Sequence, residues 1–224
     1  MITVYYPIPL YFLLLLVIYF VTRQLINQFF YFFRRVFRND KTVFAMIAVI
    51  FLPGTVIHEF SHMVAALLLL LRVYEIKIFP EWEKNYIKLG RVLYSKADVL
   101  RGILVGIAPV FGATLFFWWI VIFKIFPSTN LWLNILMIYL IFSISSSMFS
   151  SKQDLIDLIY IIPLMVIAGL IIYVFGIDVR LEQFTFLRST LGFFGEVNLL
   201  LLISAGIDTS LLIVLKLLNR VVKY

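Results

Sequence analysis

TVFAMIAVIFLPGTVIHEFSHMVAALLLLL, from Thr42 to Leu71, carries no charge outside the pentad His58-Glu59-Phe60-Ser61-His62, which holds both histidines of the chain. As a single helix this run would reach about 45 Å, against about 30 Å for the hydrocarbon core of a bilayer. Pro53-Gly54 is therefore expected to break or kink it, and Thr55 then offers an N-cap to the helix that carries the pentad. Counted back from Leu71, the pentad lies about 14 to 20 Å inside the helix end, at hydrocarbon depth. Water must then reach it through a cavity formed by other spans.

Spacing gives the pentad its chemistry. Four helical residues advance about 400°, so the two imidazoles stand about 40° apart on one face and can reach one metal. In HExxH hydrolases the glutamate beside the first histidine takes a proton from a metal-bound water whose pKa zinc lowers to about 7. The plain alternative is a chance string serving as a polar cluster that braces helices. Ionisable residues inside a span are costly, about 2.5 to 3.5 kcal/mol for Asp, Lys or Arg at the helix centre. Three ionisable groups in one apolar run thus argue for a metal site.

The rest of the chain is consistent with a membrane setting. Of 224 residues, 63% are hydrophobic and only 14% charged, with a mean hydropathy of +1.06. Soluble domains average about 45 to 50% apolar and 25% charged. Such a length suits five or six spans and leaves no room for a separate soluble domain. Cysteine is absent, which excludes disulfides and thiolate ligands, so a metal must use histidine, carboxylate or water. The net charge of +7 is spread over short segments among aromatics, pointing to anionic lipid headgroups rather than nucleic acid. Ile8 to Val21 lacks a basic leader and a cleavage site, so it reads as a retained span.

The expected organisation is a single integral membrane domain over residues 1–224: an all-α polytopic fold of about six transmembrane helices with one small β-hairpin. Within 1–41, Thr3 to Thr22 forms the first span, and the basic-aromatic stretch Arg23 to Lys41 reads as a helix lying in the headgroup layer. Residues 42–158 form the catalytic core. In it, alternation over Val73 to Phe79, turn residues from Pro80 to Asn85 and an extended Tyr86 to Tyr94 predict a hairpin at 73–94. Leu100 to Phe126 is a span whose Gly102, Gly106, Ala108, Gly112 and Ala113 permit close packing on the pentad helix. Leu131 to Phe149 follows, ending in serines. In 159–224 the apolar run from Leu158 to Phe175 continues, and Leu191 to Val222 is one long span or, if Gly206 breaks it, a span plus a surface helix capped by Asp208.

A zinc site needs a third protein ligand, and with no histidine left a carboxylate must supply it: Asp154, Asp157, Glu196 and Asp208 are the acids in apolar surroundings. Glu196 reads rather as an interfacial acid, and Asp208 as a cap or helix-pairing group. Asp154 is also placed to cap the helix that begins at Leu155.

Between about Leu52 and Leu158 the chain resembles the site-2 protease family of intramembrane zinc metalloproteases, in a compact form. The resemblance is carried by the pentad helix with its leading Pro53-Gly54, by the hairpin after it, by Gly106-Ile107-Ala108-Pro109, and by Ser146 to Asp154. In that last segment the family has an Asn-x-x-Pro-x-x-x-x-Asp-Gly pattern whose aspartate binds the metal. Ser146 stands here for the asparagine, Phe149 for the proline and Leu155 for the glycine.

The resemblance implies that His58, His62 and Asp154 bind Zn2+, with Asp157 in reserve and Glu59 as the catalytic base of a metalloendopeptidase. Its substrate would be a transmembrane or membrane-associated protein. Ser146, Ser147, Ser150 and Ser151 would contact that substrate in place of the missing asparagine, and the hairpin would pair with it as an added strand. Family topology puts the hairpin and the carboxyl terminus in the cytosol of a prokaryotic cell and the site within the membrane toward that side. The distribution of the 19 Lys and Arg agrees only faintly. The rivals are a non-proteolytic relative that binds client segments and a metal-binding carrier.

Overall fold

The computed structural model describes residues 7–77, 81–83, 86–88, 90–95, 98–148, 167, 170, 171, 174 and 185–221. Helix α1 (Pro7–Val36) opens on a proline, whose fixed φ suits a first helical position, and ends with Arg34 and Arg35 against the negative end of its dipole. Helix α2 (Asp40–Ile50) is capped by the Asn39 side chain, which accepts from the Lys41 amide. Helix α3 (Leu52–Leu68) carries the pentad. After the strands come α4 (Val99–Ile122), α5 (Leu131–Ser147) and a long α6 (Thr185–Val221).

Three described segments are long and apolar enough to cross a membrane: α1, α4 and Gly192–Val221 of α6. A fourth span results if α2 and α3 count as one bent crossing. α5 is apolar but short, at 17 residues. Of the expected run from Leu158 to Phe175, residues 167, 170, 171 and 174 are helical, and the others lie outside the described residues.

The break expected at Pro53-Gly54 is present as a 74° bend between α2 and α3 at Phe51. Pro53 has no N–H for the Val49 carbonyl and its ring crowds that position, so the first helix must end just before it. The helix restarts at Leu52, one turn earlier than expected. Thr55 is therefore not its cap: it lies within the first turns, and its hydroxyl donates back to the Phe51 carbonyl at 3.1 Å.

A second difference concerns the basic-aromatic stretch. α1 runs unbroken through Arg23 to Val36 and does not give way to a separate headgroup helix. No glycine or proline interrupts it, and Phe29, Phe30, Phe32 and Phe33 pack with Phe37 around a buried cluster of Leu25, Val43, Ile47, Phe51, Phe142, Leu212 and Leu215. Packing of these partly buried rings on α2, α5 and α6 accounts for an unbroken helix where basic-aromatic composition alone suggests a separate surface one.

α1 and α6 run side by side in the same direction. Pro7 meets Asn198, Thr22 meets Asp208, and Gln28 meets Asn219. Gly206 does not break α6, which is helical throughout, so Asp208 sits inside a helix rather than capping one. The carboxyl of Asp208 is fully buried and accepts from Thr22 of α1 at 2.9 Å and from Ser146 of α5 at 3.2 Å. It is thus a helix-pairing group.

The expected hairpin forms as two nested antiparallel ladders. β1 (Val73–Lys77) pairs with β4 (Arg91–Tyr94), and β2 (Glu81–Glu83) pairs with β3 (Tyr86–Lys88). At its base Val73 and Tyr94 pack on Ala66 and Leu71 after the pentad and on Val105 of α4. Arg91 reaches across to Glu75 at 3.0 Å, and Lys77 lies 3.2 Å from the same carboxylate. The Arg91 hydrogen bond, then the Lys77 one, holds the Glu75 carboxyl below the usual carboxylate range.

Candidate metal centre

His58 and Glu59 lie on the buried face of α3, 3% and 5% exposed, with His62 one turn on and half-buried. The Nε2 atoms of the two imidazoles stand 3.1 Å apart, with the rings nearly perpendicular. Two nitrogens each about 2.0 to 2.1 Å from a tetrahedral zinc lie about 3.3 Å from one another, so the pair already has the spacing of two ligands of one ion. His62 Nδ1 lies 2.8 Å from the Val105 carbonyl of α4. A carbonyl oxygen only accepts, so Nδ1 carries the proton and Nε2 keeps its lone pair. That is the tautomer a metal needs, fixed by an outer partner.

The framework around α3 depends on close backbone approach. The Gly54 amide, one of the donors a helix start leaves unpaired, is taken by the Ser143 hydroxyl of α5 at 3.0 Å. A Cβ on Gly54 would run into the Ser143 carbonyl oxygen and the Ser147 hydroxyl. On the other flank a Cβ on Gly112 of α4 would strike Ser61, the close packing expected there, whereas a Cβ on Gly102 would meet nothing within 4 Å. The main chain of Ser147 lies at the His58 ring. α5 and α4 thus clamp the pentad from two sides.

Glu59 is met by the hairpin. A Cβ built on Gly90, just before β4, would lie 2.5 Å from Glu59 Cγ and 2.6 Å from its Oε1. Only glycine lets the hairpin come down on the carboxylate in this way. Between α3 and α4, round from the histidines, lies a cavity of about 540 Å³ whose lining is apolar except for Ser61.

Among the described residues no third histidine, aspartate or glutamate joins the pair to complete a metal site. Asp154 and Asp157, the expected third and reserve ligands, lie outside the described residues, as do Ser150 and Ser151. Glu196 lines a separate pocket with Lys124, Phe126 and Pro127 after α4. Ser146 and Ser147 are described, and both hydroxyls are committed to structure: Ser146 donates to Asp208 and Ser147 to the Ser143 carbonyl. Ser145 bonds Ser204 of α6. The serine cluster joins α5 to α3 and α6, a role that sequence cannot separate from substrate contact.

No motif in the sequence marks Gly90 or Val105 as part of the site, and Ser143 stands out there only as the first of the α5 serines. An isolated glycine at a strand start is the signal that could have found Gly90. Comparison with known protein families, with curated proteins and with solved structures finds no match.

Proposed function

We propose that this chain is a membrane-embedded, zinc-dependent metalloendopeptidase that cuts a peptide bond in or near a transmembrane segment of another membrane protein. One observation carries the reading: two buried imidazoles converge at 3.1 Å, with the tautomer of His62 set by the Val105 carbonyl. The same 3.1 Å suits a hydrogen bond between the rings, but that bond lies within α3 and joins no second helix, so a bracing role does not account for the pairing of the two imidazoles. The donor chemistry fits zinc at two positions, and Asp154 is the residue proposed for the third. Bound zinc would supply a Lewis acid for the peptide carbonyl and lower the pKa of water.

The residues of the chain do the rest. Glu59 takes the proton of the attacking water on its carboxylate and hands it to the leaving amine nitrogen. Gly90 lets the hairpin close over that carboxylate, restricting solvent to the water that reacts. The β1–β4 ladder has two strands, so each presents an outer edge on which an extended substrate segment can add. A helical substrate must first unwind, because its own hydrogen bonds shield its peptide groups. The proposal includes about six spans in a prokaryotic cell membrane, with hairpin and carboxyl terminus cytosolic.

The test is cleavage of a reporter membrane protein in proteoliposomes with zinc content measured in parallel. Glu59→Gln should abolish cleavage and retain zinc, and His58→Ala should lose both. Wild-type cleavage by Glu59→Gln would end the protease reading and favour a client-binding or metal-carrying protein.

A further inference from the structure

Pro109 lies inside α4, a full turn after Val105. In an α-helix the carbonyl of Val105 would accept from the N–H of residue 109, and proline has none. Val105 is completely buried, so its freed carbonyl has no water to turn to. Within a span such a group must be satisfied by a neighbouring helix. It is satisfied by the Nδ1–H of His62, 2.8 Å away. Pro53 likewise denies the Val49 carbonyl its helical donor, though at an exposed position, and there the Tyr139 hydroxyl donates to it at 3.4 Å. In both places a proline exposes a main-chain acceptor to a side chain of another helix.

We infer that Pro109 is a positioning residue for the metal centre: by withholding an N–H it frees the Val105 carbonyl to hold His62 in the Nδ1–H tautomer with Nε2 turned to His58. The inference deepens the zinc reading and rests on it for its purpose, though not for its test. A proline kept only to bend α4 would act through its ring, whereas this role acts through the missing hydrogen.

The two are separated by changing residue 109 in two ways that differ in one N–H group. Pro109→Ala restores the donor. Replacement by the α-hydroxy analogue of alanine puts an ester oxygen there, with neither ring nor N–H. The full chain in detergent is titrated with zinc against a chelator, and the nitrogen chemical shifts of metal-free His62 report its tautomer. Wild type and the ester variant should show His62 protonated at Nδ1 and should bind zinc alike. Pro109→Ala should weaken zinc about tenfold, the low end of what loss of such an outer partner does. Its His62 should shift toward the Nε2–H form.

Equal tautomers and affinities in the alanine and ester variants would overturn the inference. So would a wild-type His62 protonated at Nε2. Should wild type bind no zinc, the protease reading fails while the tautomers of the three proteins still decide this one.

Discussion

Replacing Gly90 by alanine tests the hairpin and the general base together. The added methyl carbon would lie 2.5 Å from Glu59 Cγ, and ordinary carbon contacts begin near 3.4 Å, so about 0.9 Å must be found. Glu59 is only 5% exposed, which leaves its side chain few rotamers to retreat into. Either the carboxylate or the start of β4 moves by most of that distance. Misplacing a reacting group by about 1 Å costs about a hundredfold in rate. Gly90→Ala should therefore lower kcat for cleavage of a reporter membrane protein in proteoliposomes by about that factor. Zinc content should not change, because the atoms nearest the added carbon belong to Glu59 and not to an imidazole. Gly102→Ala is the matched control, since a Cβ there meets nothing within 4 Å. If Gly90→Ala cleaves as fast as Gly102→Ala, Glu59 is not the base or the hairpin does not rest on it during turnover.

Three further outcomes follow from the framework. Gly54→Ala should destabilise the fold by about 1 to 3 kcal/mol, the usual range for overpacking, as read by unfolding in mixed micelles, because α3 must leave α5. Asp208→Ala removes the acceptor shared by Thr22 and Ser146, and at about 0.6 kcal/mol per intramembrane hydrogen bond should cost about 1 kcal/mol while leaving zinc bound. Loss of zinc in that variant would instead tie Asp208 to the site. The Glu75 carboxyl is held below its ordinary value by Arg91 and Lys77, so it stabilises the hairpin base above the ordinary carboxylate range, and this is lost as pH falls through the lowered value. Protection of β1 amides against hydrogen exchange, taken relative to the intrinsic rate at each pH, should fall over that acid window in wild type but not in Glu75→Gln; the same acid response in both would refute the assignment.

How far the sequence could be read depended on whether a feature was local. The pentad, the break before it and the two-stranded chain reversal are written in spacing, proline chemistry and alternation, and they stand in the structure within a residue or a turn. α1 went otherwise because basic residues among aromatics are the composition of a surface helix, and only the presence of α2, α5 and α6 beside it draws those rings partly into the core. The serines after Phe142 are similar: composition marks them as polar, but which of four helices each one faces is a property of the assembly. Asp208 was recognised as a pairing or capping acid, and the unbroken α6 decides between the two. Pro109 and Val105 could have been connected from sequence, by counting back four residues, but not to His62, which is distant in the chain.

Helices α3 and α5 are neighbours, and each is 17 residues long. α5 therefore rises only about 26 Å against a hydrocarbon thickness of about 30 Å, and α3 falls equally short unless α2, bent from it by 74°, completes the crossing; α1 and α6 exceed it. In a membrane, a flank lined by such short helices is met by local thinning of the bilayer, by snorkelling of flanking side chains or by association with another chain. A thinned patch brings water and lipid carbonyls closer to buried peptide groups. A passing transmembrane segment would then lose part of its hydrocarbon cover beside the two imidazoles, and acyl-chain length would act on the site from outside the chain.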